Sequence, residues 1–458
     1  MKQLLHDLKQ GEKVSTILYY FFPEFIMNFV VYAMPMWIDA IFIGSLESVS
    51  TYATLGVTSN IIHFIIKIAE ALSVGTVVMS GQFNGKNDYK QVGRTACDAF
   101  WVTCLVGFFF SSLLYFGAFW IYKWYGVNEQ IIHLGVPFIR LRALGVLFMF
   151  IFFALIGFLR GIKNTRSPMK MFIFGAILFI FFDYVLVFGK WGFPKLGFNG
   201  SAMATIIQYG SMLAVALGYV VCSKKNRKYG IELFSPFKDF SYARRLIALS
   251  IPVLLDKAAI ALAYVWLGKM IAPMGTSSIA AFCAIKDMER FAFLPALAFA
   301  QVVTFLVSND CGAQNWEGIK GNIKKILLLS FGMVTVFLIA FSCYPGKVLC
   351  LLDKNGDFSD LVIKVFPLMS LLVMFDLLQL ILSGALRGAG NVQLVMFVRI
   401  AVCLCYFAPL SYFIAQMTIQ DEVVKFLLIY GSYYMGSALM SIAYINRFRG
   451  DYWKIASL

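Results

Sequence analysis

Charged residues and histidines are scarce in this sequence, and their scarcity excludes several classes of protein. Only 14% of its 458 residues are charged, against about a quarter in an ordinary soluble domain. The three histidines occur without an HExxH or GxSxG segment, and the nine cysteines form no CxxC pair and no metal-ligand spacing. We therefore expect neither an enzyme nor a resident metal or cofactor.

Apolar runs that are long enough to cross a bilayer fill most of the chain. A spanning helix needs about 20 predominantly apolar residues. Charge-free runs of this kind lie at 200–222, 326–346, 400–420 and 426–445. Segments with one or a few charges lie at 15–44, 51–80, 95–122, 134–159, 171–189, 246–271, 278–308 and 361–386. The pattern predicts an all-α integral membrane protein with twelve transmembrane helices.

Lysine and arginine are distributed unevenly among the loops between these spans. The two termini and every second loop hold most of them, whereas the intervening loops hold five: Lys123, Lys190, Lys195, Lys347 and Lys354. Because positively charged loops stay in the cytoplasm, both termini are predicted to be cytoplasmic in a multi-pass protein of the cell membrane. The net charge of +15 then reflects topology and attraction to membrane lipids, and nucleic-acid binding is not expected.

Two pairs of similar segments indicate an internal duplication. GFLRGIKN at 157–164 returns as GALRGAGN at 384–391, and GKNDYKQVGR at 85–94 aligns with GAQNWEGIKG at 312–321. The offset is 227 residues in both pairs. Each half contains six spans, and because this number is even, both halves begin on the same side of the membrane. The repeat therefore predicts two six-helix lobes related by a pseudo-twofold axis along the membrane normal. Such lobes support transport by alternating access.

The predicted domains follow from this repeat. They are an N-terminal lobe at 1–223, a cytoplasmic linker at 224–245 and a C-terminal lobe at 246–458. The segments Arg160–Gly161 and Arg387–Gly388 are expected in equivalent cytoplasmic loops. There glycine permits tight backbone geometry, and arginine caps the carbonyls at a helix end.

Five motifs in order resemble the multidrug and toxic compound extrusion (MATE) transporters. They are WIDAIFIG at 37–44, GFLRGIKNTRSP at 157–168, DYVLVFGKWGFPKLGFNGSAMAT at 183–205, SNDCGAQN at 308–315 and GALRGAGN at 384–391. The resemblance covers most of the chain. It implies a V-shaped pair of six-helix lobes that exports organic, often cationic, compounds in exchange for protons or sodium.

Ionisable residues at membrane depth need a partner, a water-filled cavity or a neutral protonation state. Three pairs of opposite charge at i, i+3 spacing share a helix face and either neutralise each other or contact substrate: Lys67 with Glu70, Lys286 with Glu289, and Asp287 with Arg290. Acids without such a compensating neighbour are Glu24, Asp39, Asp183, Asp256 and Asp376.

The resemblance assigns roles to two of these acids in the N-terminal half. Asp39 and Asp183 match functional carboxylates of the family's first and fifth spans and are the predicted proton-coupling site, unless they are hydrogen-bonded structural residues. Phe179 stands where the family often has an asparagine, which favours protons over sodium. Ser201 supplies a nearby hydroxyl in the following span.

The C-terminal half holds the predicted cation-binding or substrate-binding residues Asp256, Asp376, Glu289 and Lys257. Asp256 and Asp376 match acids that bind cations in some bacterial members, but Leu372 replaces the aromatic residue expected before Asp376. The basic residues Lys257, Lys269 and Arg399 have two interpretations. They pair with these acids or reach the lipid surface, or they make the cleft suitable for an anionic or zwitterionic substrate.

Two other functions compete with drug export. A flippase for a lipid-linked precursor would use central basic residues to hold a pyrophosphate, and a passive channel would not require two lobes with acids in both. The expected partners are a small organic substrate, the coupling cation and membrane lipids. The expected assembly is a monomer.

Overall fold

The computed structural model describes residues 10–34, 38, 42, 49–233, 240–343, 359–450 and 453–454. All regular secondary structure in these ranges is helical. The helices of the first half are α1 (Val14–Asn28, continued by a π-helical turn at Phe29–Ala33), α2 (Val49–Gly85), α3 (Tyr89–Tyr125), α4 (Glu129–Gly161), α5 (Arg166–Phe188) and α6 (Phe198–Cys222). A 3₁₀ segment at Lys224–Tyr229 follows them.

The second half repeats this order with two interruptions. Its helices are α7 (Phe240–Ile271), α8 (Thr276–Ala292), α9 (Leu294–Gly312), α10 (Trp316–Cys343), α11 (Ser359–Gly388), α12 (Val392–Val402), α13 (Ala408–Gln416) and α14 (Glu422–Arg449). The predicted eighth span is divided between α8 and α9 at Phe293, two residues before Pro295, where proline removes a backbone donor. A π-helical turn at Cys403–Phe407 joins α12 to α13.

Twelve helical segments among the described residues are long and apolar enough to cross a membrane. They include Val14–Tyr32 at the start and Glu422–Arg449 at the end. The prediction of an all-α membrane protein with twelve spans is therefore confirmed.

The chain divides into two compact units. The N-terminal unit is Ile26–Ile251, and the C-terminal unit is Pro252–Ser457 together with Met1–Phe25. The predicted linker 224–245 thus falls within the N-terminal unit, and the start of α1 belongs to the C-terminal unit. The lobe boundaries given above stay a prediction.

The repeated LRG segments end two equivalent helices. Arg160 and Gly161 are the last residues of α4, and Arg387 and Gly388 are the last residues of α11. The turns follow two residues later, where Lys163 has φ 59° and Gly390 has φ 82°. The prediction that Gly161 and Gly388 serve tight loop geometry is wrong, because both are helical.

These glycines instead allow close contact between helices. A Cβ atom on Gly161 would lie 1.9 Å from Ser80 Oγ on α2, and one on Gly388 would lie 2.4 Å from the Thr304 carbonyl oxygen on α9. One turn earlier, a Cβ atom on Gly157 or Gly384 would likewise lie too close to the carbonyl oxygen of Ser73 or Ala300. Since Ser73 and Ala300 are also 227 residues apart, the α2–α4 contact of one unit recurs as the α9–α11 contact of the other.

The segment before α1 is held by α10 within the C-terminal unit. Lys325 Nζ donates to the carbonyl oxygens of Gln10 and Glu12, both at 2.7 Å, and Asn322 Oδ1 accepts from the Glu12 amide at 2.8 Å. Asn322 also donates to Asp310 at 2.8 Å. The start of the first span is therefore attached to the second half of the sequence.

Candidate functional site

A buried ionic cluster joins α7, α11 and α12 in the C-terminal unit. Asp256 is fully buried and accepts at Oδ2 from Arg387 Nη2 at 2.5 Å. Its other oxygen, Oδ1, accepts from Nε of Arg399, which is 2% exposed. Both carboxylate oxygens are thus occupied by guanidinium groups.

The contacts in this cluster distinguish the two interpretations of Arg399 and correct the predicted role of Arg387. Pairing with Asp256 was one alternative for Arg399, and this pairing is confirmed. The prediction that Arg387 caps a helix end is wrong, because its Nη2 atom reaches a carboxylate 131 residues away in the chain. Lys257 lies half-buried beside Asp256 on α7, and Lys269 is exposed, with its ammonium 5.6 Å from the centre of the Trp266 ring.

Glu289 forms a second buried site at the end of α8. Its Oε2 atom accepts hydrogen bonds from the Tyr430 hydroxyl at 2.5 Å and the Tyr434 hydroxyl at 2.6 Å, both on α14. Its Oε1 atom is buried and has no hydrogen-bond partner among the described residues. The residue as a whole is 6% exposed, so this carboxyl group is enclosed by protein.

The predicted pair of Lys286 with Glu289 is wrong. The Lys286 ammonium instead lies 5.5 Å from the centre of the Tyr264 ring and 5.9 Å from that of Phe282. Glu289 turns to the α14 tyrosines because hydrogen-bond donors satisfy a buried carboxylate there. The pair of Asp287 with Arg290 is confirmed, at 3.5 Å and with both side chains partly exposed.

Asp376 on α11 is joined to α14 by a hydrogen bond. Its Oδ1 atom accepts from Ser437 Oγ on α14 at 2.9 Å. The nearby tyrosine rings contact each other, with ring centres 5.1 Å apart for Tyr264 and Tyr433 and 5.4 Å apart for Tyr430 and Tyr434. Glu289 and the four tyrosines therefore form one connected group between α7, α8 and α14.

The tyrosines of α14 were missed by the sequence interpretation. A signal was present in YGSYYMGS at 430–437, a polar run within an otherwise apolar span. Aromatic content alone did not separate these residues from the many other aromatic residues of the chain.

The predicted coupling residues of the N-terminal unit are only partly described. Asp183 on α5 and Ser201 on α6 are both fully buried, and Phe179 lies one turn before Asp183 with 1% exposure. Ser201 accepts at its carbonyl oxygen from Thr205 Oγ1 at 3.0 Å. Asp39 lies outside the described residues.

The pair of Lys67 with Glu70 on α2 is confirmed, at 3.2 Å. Tyr32 extends it, because its hydroxyl donates to Glu70 Oε1 and its ring lies 4.5 Å from the Lys67 ammonium. The Lys67 side chain is 39% exposed. These three residues therefore form one connected ionic group in the N-terminal unit.

Arg142 on α4 is a further residue that the sequence interpretation missed. Its Nη2 atom donates to Thr205 Oγ1 at 3.0 Å, and its guanidinium carbon lies 5.5 Å from the centre of the Phe138 ring. Its Nε atom is buried and has no acceptor in the part of the chain that the structure describes. Among the residues that the structure describes, no group of three or more histidine, cysteine, aspartate or glutamate side chains could hold a metal ion.

Comparison with known proteins shows the family to which the chain belongs. The MatE family model matches residues 23–185 and again 252–413, which covers more than half of the chain. The probable multidrug resistance protein YoeA of Bacillus subtilis is 21% identical over 432 residues, covering 90% of this chain and 92% of that protein. The probable multidrug resistance protein NorM of Thermotoga maritima is 24% identical over 358 residues, covering 77% and 75%.

The fold is similar to that of solved transporters. A structure described as the outward-facing conformation of a multidrug resistance MATE family transporter of the MOP superfamily matches with a TM-score of 0.85. It is 17% identical, and the match covers 96% of each chain. At this identity the likeness shows the fold alone.

Proposed function

The chain belongs to the MatE family, and on that premise we propose that it is a secondary transporter that exports small organic compounds in exchange for protons. Transport would proceed by alternating access between the two sides of the cell membrane. We propose that both termini are cytoplasmic, as the distribution of lysine and arginine predicts. Membership of a transporter family sets the enzyme hypothesis aside.

The proposal of ion coupling depends on the hydrogen bonding of the buried Glu289 carboxyl group. A carboxylate enclosed at membrane depth is costly when charged. Among the described residues, this one has two hydrogen-bond donors on one oxygen and none on the other. Proton uptake at Oε1 removes the charge without disturbing the two tyrosine contacts. A proton drives transport if its binding free energy differs between the access states, and a change at the α8–α14 contact would supply that difference.

Asp256 is less suited to proton or cation exchange than Glu289. Two guanidinium groups already pair with it, and protonating this carboxylate would leave both buried cations without a counter-charge. We therefore propose that Asp256 holds α7, α11 and α12 together, and that exchange in this unit occurs at Glu289 and Asp376.

Protons are favoured over sodium by the surroundings of Asp183. Phe179 is buried one turn before it and offers no oxygen that a sodium ion could use. Together with Asp39, Asp183 remains our proposed coupling site of the N-terminal unit, and Ser201 its neighbouring hydroxyl.

Purified protein in liposomes tests this function. We expect an imposed pH gradient, and not a sodium gradient of equal size, to drive uptake of organic compounds from a panel of cations, zwitterions and anions. Sodium-driven uptake would overturn the choice of proton. Lipid scrambling without solute movement would favour the flippase instead, although Arg399, one of the basic residues it would use, is already engaged by Asp256.

A further inference from the structure

A surface groove in the C-terminal unit runs between α10 and α11. It has a volume of about 280 Å³ and is lined by apolar side chains, three from α10 and four from α11. Leu328 on α10 is 57% exposed, Phe331 is 51% exposed, and Phe375 on α11 is 38% exposed. Both helices are long and apolar enough to cross the membrane. An exposed apolar groove at this depth is therefore expected to be in contact with lipid.

Two lysines lie between this groove and the start of α10. Lys320 is exposed and Lys324 is half-buried, and both lie within about 60° of Leu327 and Phe331 around the helix axis. Lys320 precedes Leu327 by about 10 Å along that axis. Glu317 is exposed one turn closer to the helix start, so it is farther from the groove than either lysine. One face of α10 thus carries positive charge first and apolar surface next.

A phospholipid has the same order of charge and apolar surface. Lysines close to the membrane surface attract anionic lipids, and their long side chains reach from a helix end to the headgroups. An acyl chain that is attached to such a headgroup passes along the helix into the bilayer, where the groove can take it. A zwitterionic headgroup carries no net charge and gains less from two ammonium groups.

In the N-terminal unit, the equivalent helix face is covered by protein. The offset of 227 residues relates the two lysine positions to Gly93 and Cys97 on α3. A Cβ atom on Gly93 would lie 2.0 Å from the carbonyl oxygen of Tyr229, and Cys97 Sγ lies 3.3 Å from the carbonyl oxygen of Glu232. Leu233, the next residue, is 1% exposed. This face of the fold is thus a packing surface in one unit and carries two cations in the other.

We propose that the groove between α10 and α11 binds an anionic phospholipid of the membrane. One acyl chain lies between the two helices, and the headgroup lies at Lys320 and Lys324. The proposal goes beyond the proposed function, because it concerns a lipid that stays bound to the protein and not a transported compound. It requires only that α10 and α11 cross the membrane.

Lipid-induced thermal stabilisation of the detergent-purified protein tests the headgroup contact. The probes are dioleoyl-phosphatidylglycerol, dioleoyl-phosphatidylcholine and dihexanoyl-phosphatidylglycerol. We expect the first to raise the unfolding temperature at a lower concentration than the second, and the third to act weakly because its short chains do not reach the groove. Lys320→Gln should raise the half-saturating concentration of dioleoyl-phosphatidylglycerol about fivefold. Lys320→Arg keeps the charge and should bind this lipid as the wild type does.

Matched controls separate charge from groove shape. Lys364→Gln is the control for Lys320→Gln, because Lys364 is exposed near the start of α11. Leu328→Trp should fill the groove and weaken the binding of both dioleoyl lipids. Ile339→Trp is its control, because Ile339 lies on the same helix outside the groove and is also 57% exposed. Since these side chains lie on the surface, all four variants should unfold at the wild-type temperature without lipid.

Three results would overturn the proposal. Equal stabilisation of the wild type by the two dioleoyl lipids, or equal effects of Lys320→Gln and Lys364→Gln, would exclude an anionic headgroup at this site. Equal effects of Leu328→Trp and Ile339→Trp would exclude the groove as the place of the acyl chain. A dimer that becomes a monomer in Leu328→Trp on size-exclusion chromatography would assign the groove to a contact between two copies of the chain.

Discussion

Tyr434 donates its hydroxyl to Oε2 of Glu289 at 2.6 Å and so joins the last span of the chain to the end of α8. Tyr430 donates to the same oxygen, and the two tyrosine rings are stacked. The tyrosines therefore hold one oxygen of the carboxyl group, and the other has no hydrogen-bond partner among the described residues. This arrangement makes Glu289 the most direct place in the C-terminal unit to test ion coupling.

Glu289→Gln is expected to abolish pH-driven uptake and to preserve substrate exchange across liposomes without a gradient. The amide keeps an oxygen for the two tyrosine hydroxyls but removes the titratable group. Proteoliposome uptake and counterflow measure the two activities. Asp287→Asn is the matched control, because Asp287 lies on the same helix, partly exposed and paired with Arg290. Full pH-driven uptake by Glu289→Gln would exclude this residue from coupling.

Asp256→Leu is expected to destabilise the protein by about 3–5 kcal/mol, because it leaves the guanidinium groups of Arg387 and Arg399 without their buried counter-charge. The double variant Arg399→Leu, Asp256→Leu should be less destabilised than this single variant. Denaturation midpoints of the purified proteins give the comparison. Lys269→Leu serves as control, since that side chain is exposed and contacts only the Trp266 ring in the described structure. Equal losses in Asp256→Leu and the control would contradict a structural role for the cluster.

Gly161→Ala and Gly388→Ala are each expected to destabilise the protein by about 1–3 kcal/mol through overpacking. Their new methyl groups would meet Ser80 Oγ at 1.9 Å and the Thr304 carbonyl oxygen at 2.4 Å. Gly218 on α6 and Gly332 on α10 are controls in the same two halves, because a Cβ atom there meets nothing within 4 Å. Unfolding midpoints should fall only in the first pair. Similar behaviour of all four variants would contradict close helix contact as the reason for the repeated glycines.

The sequence predicts those features of the fold that depend on local pattern. Run length predicts twelve spans, and the 227-residue repeat shows that the segments around Arg160 and Arg387 are equivalent, although the sequence placed them in loops and not at helix ends. The i, i+3 rule succeeds for Lys67 with Glu70, where both residues share one face of α2. It fails for Glu289, because spacing on one helix cannot show that α14 brings two hydroxyl donors from 141 and 145 residues away.

The same limit applies to Arg387 and Gly388. Their motif was visible, but its physical role was not. In the sequence, a helix end that is followed by glycine and asparagine is hard to distinguish from a loop. The tertiary structure is needed to show that Gly388 contacts α9 and that Arg387 pairs with Asp256. The sequence identified the acids, because a charged side chain in the bilayer is unfavourable in free energy and therefore stands out in an apolar span. It could not identify their partners, because these come from other helices.

Lys325→Met should release the segment before α1 from α10 and destabilise the C-terminal unit by about 1–3 kcal/mol. It removes two hydrogen bonds from an ammonium group to main-chain carbonyl oxygens, at 2.7 Å each. Amide hydrogen exchange at residues 10–17 should become faster. Lys320→Met is the control, because Lys320 is exposed on the same helix. Unchanged exchange in Lys325→Met would show that these bonds do not hold the segment.

Asp183→Asn is expected to reduce pH-driven uptake close to background while the protein still inserts and folds. The side chain is buried in α5, and an amide of nearly the same size keeps its packing but binds no proton. A carboxyl group supplies about 1.4 kcal/mol of coupling for each unit by which its pKa differs between access states, and an amide supplies none. Uptake in liposomes, with size-exclusion profiles to verify folding, measures the effect, and Ser201→Ala reports whether the neighbouring hydroxyl contributes. If Asp183→Asn and Asp39→Asn together retain full pH-driven uptake while Glu289→Gln does not, coupling lies in the C-terminal unit alone.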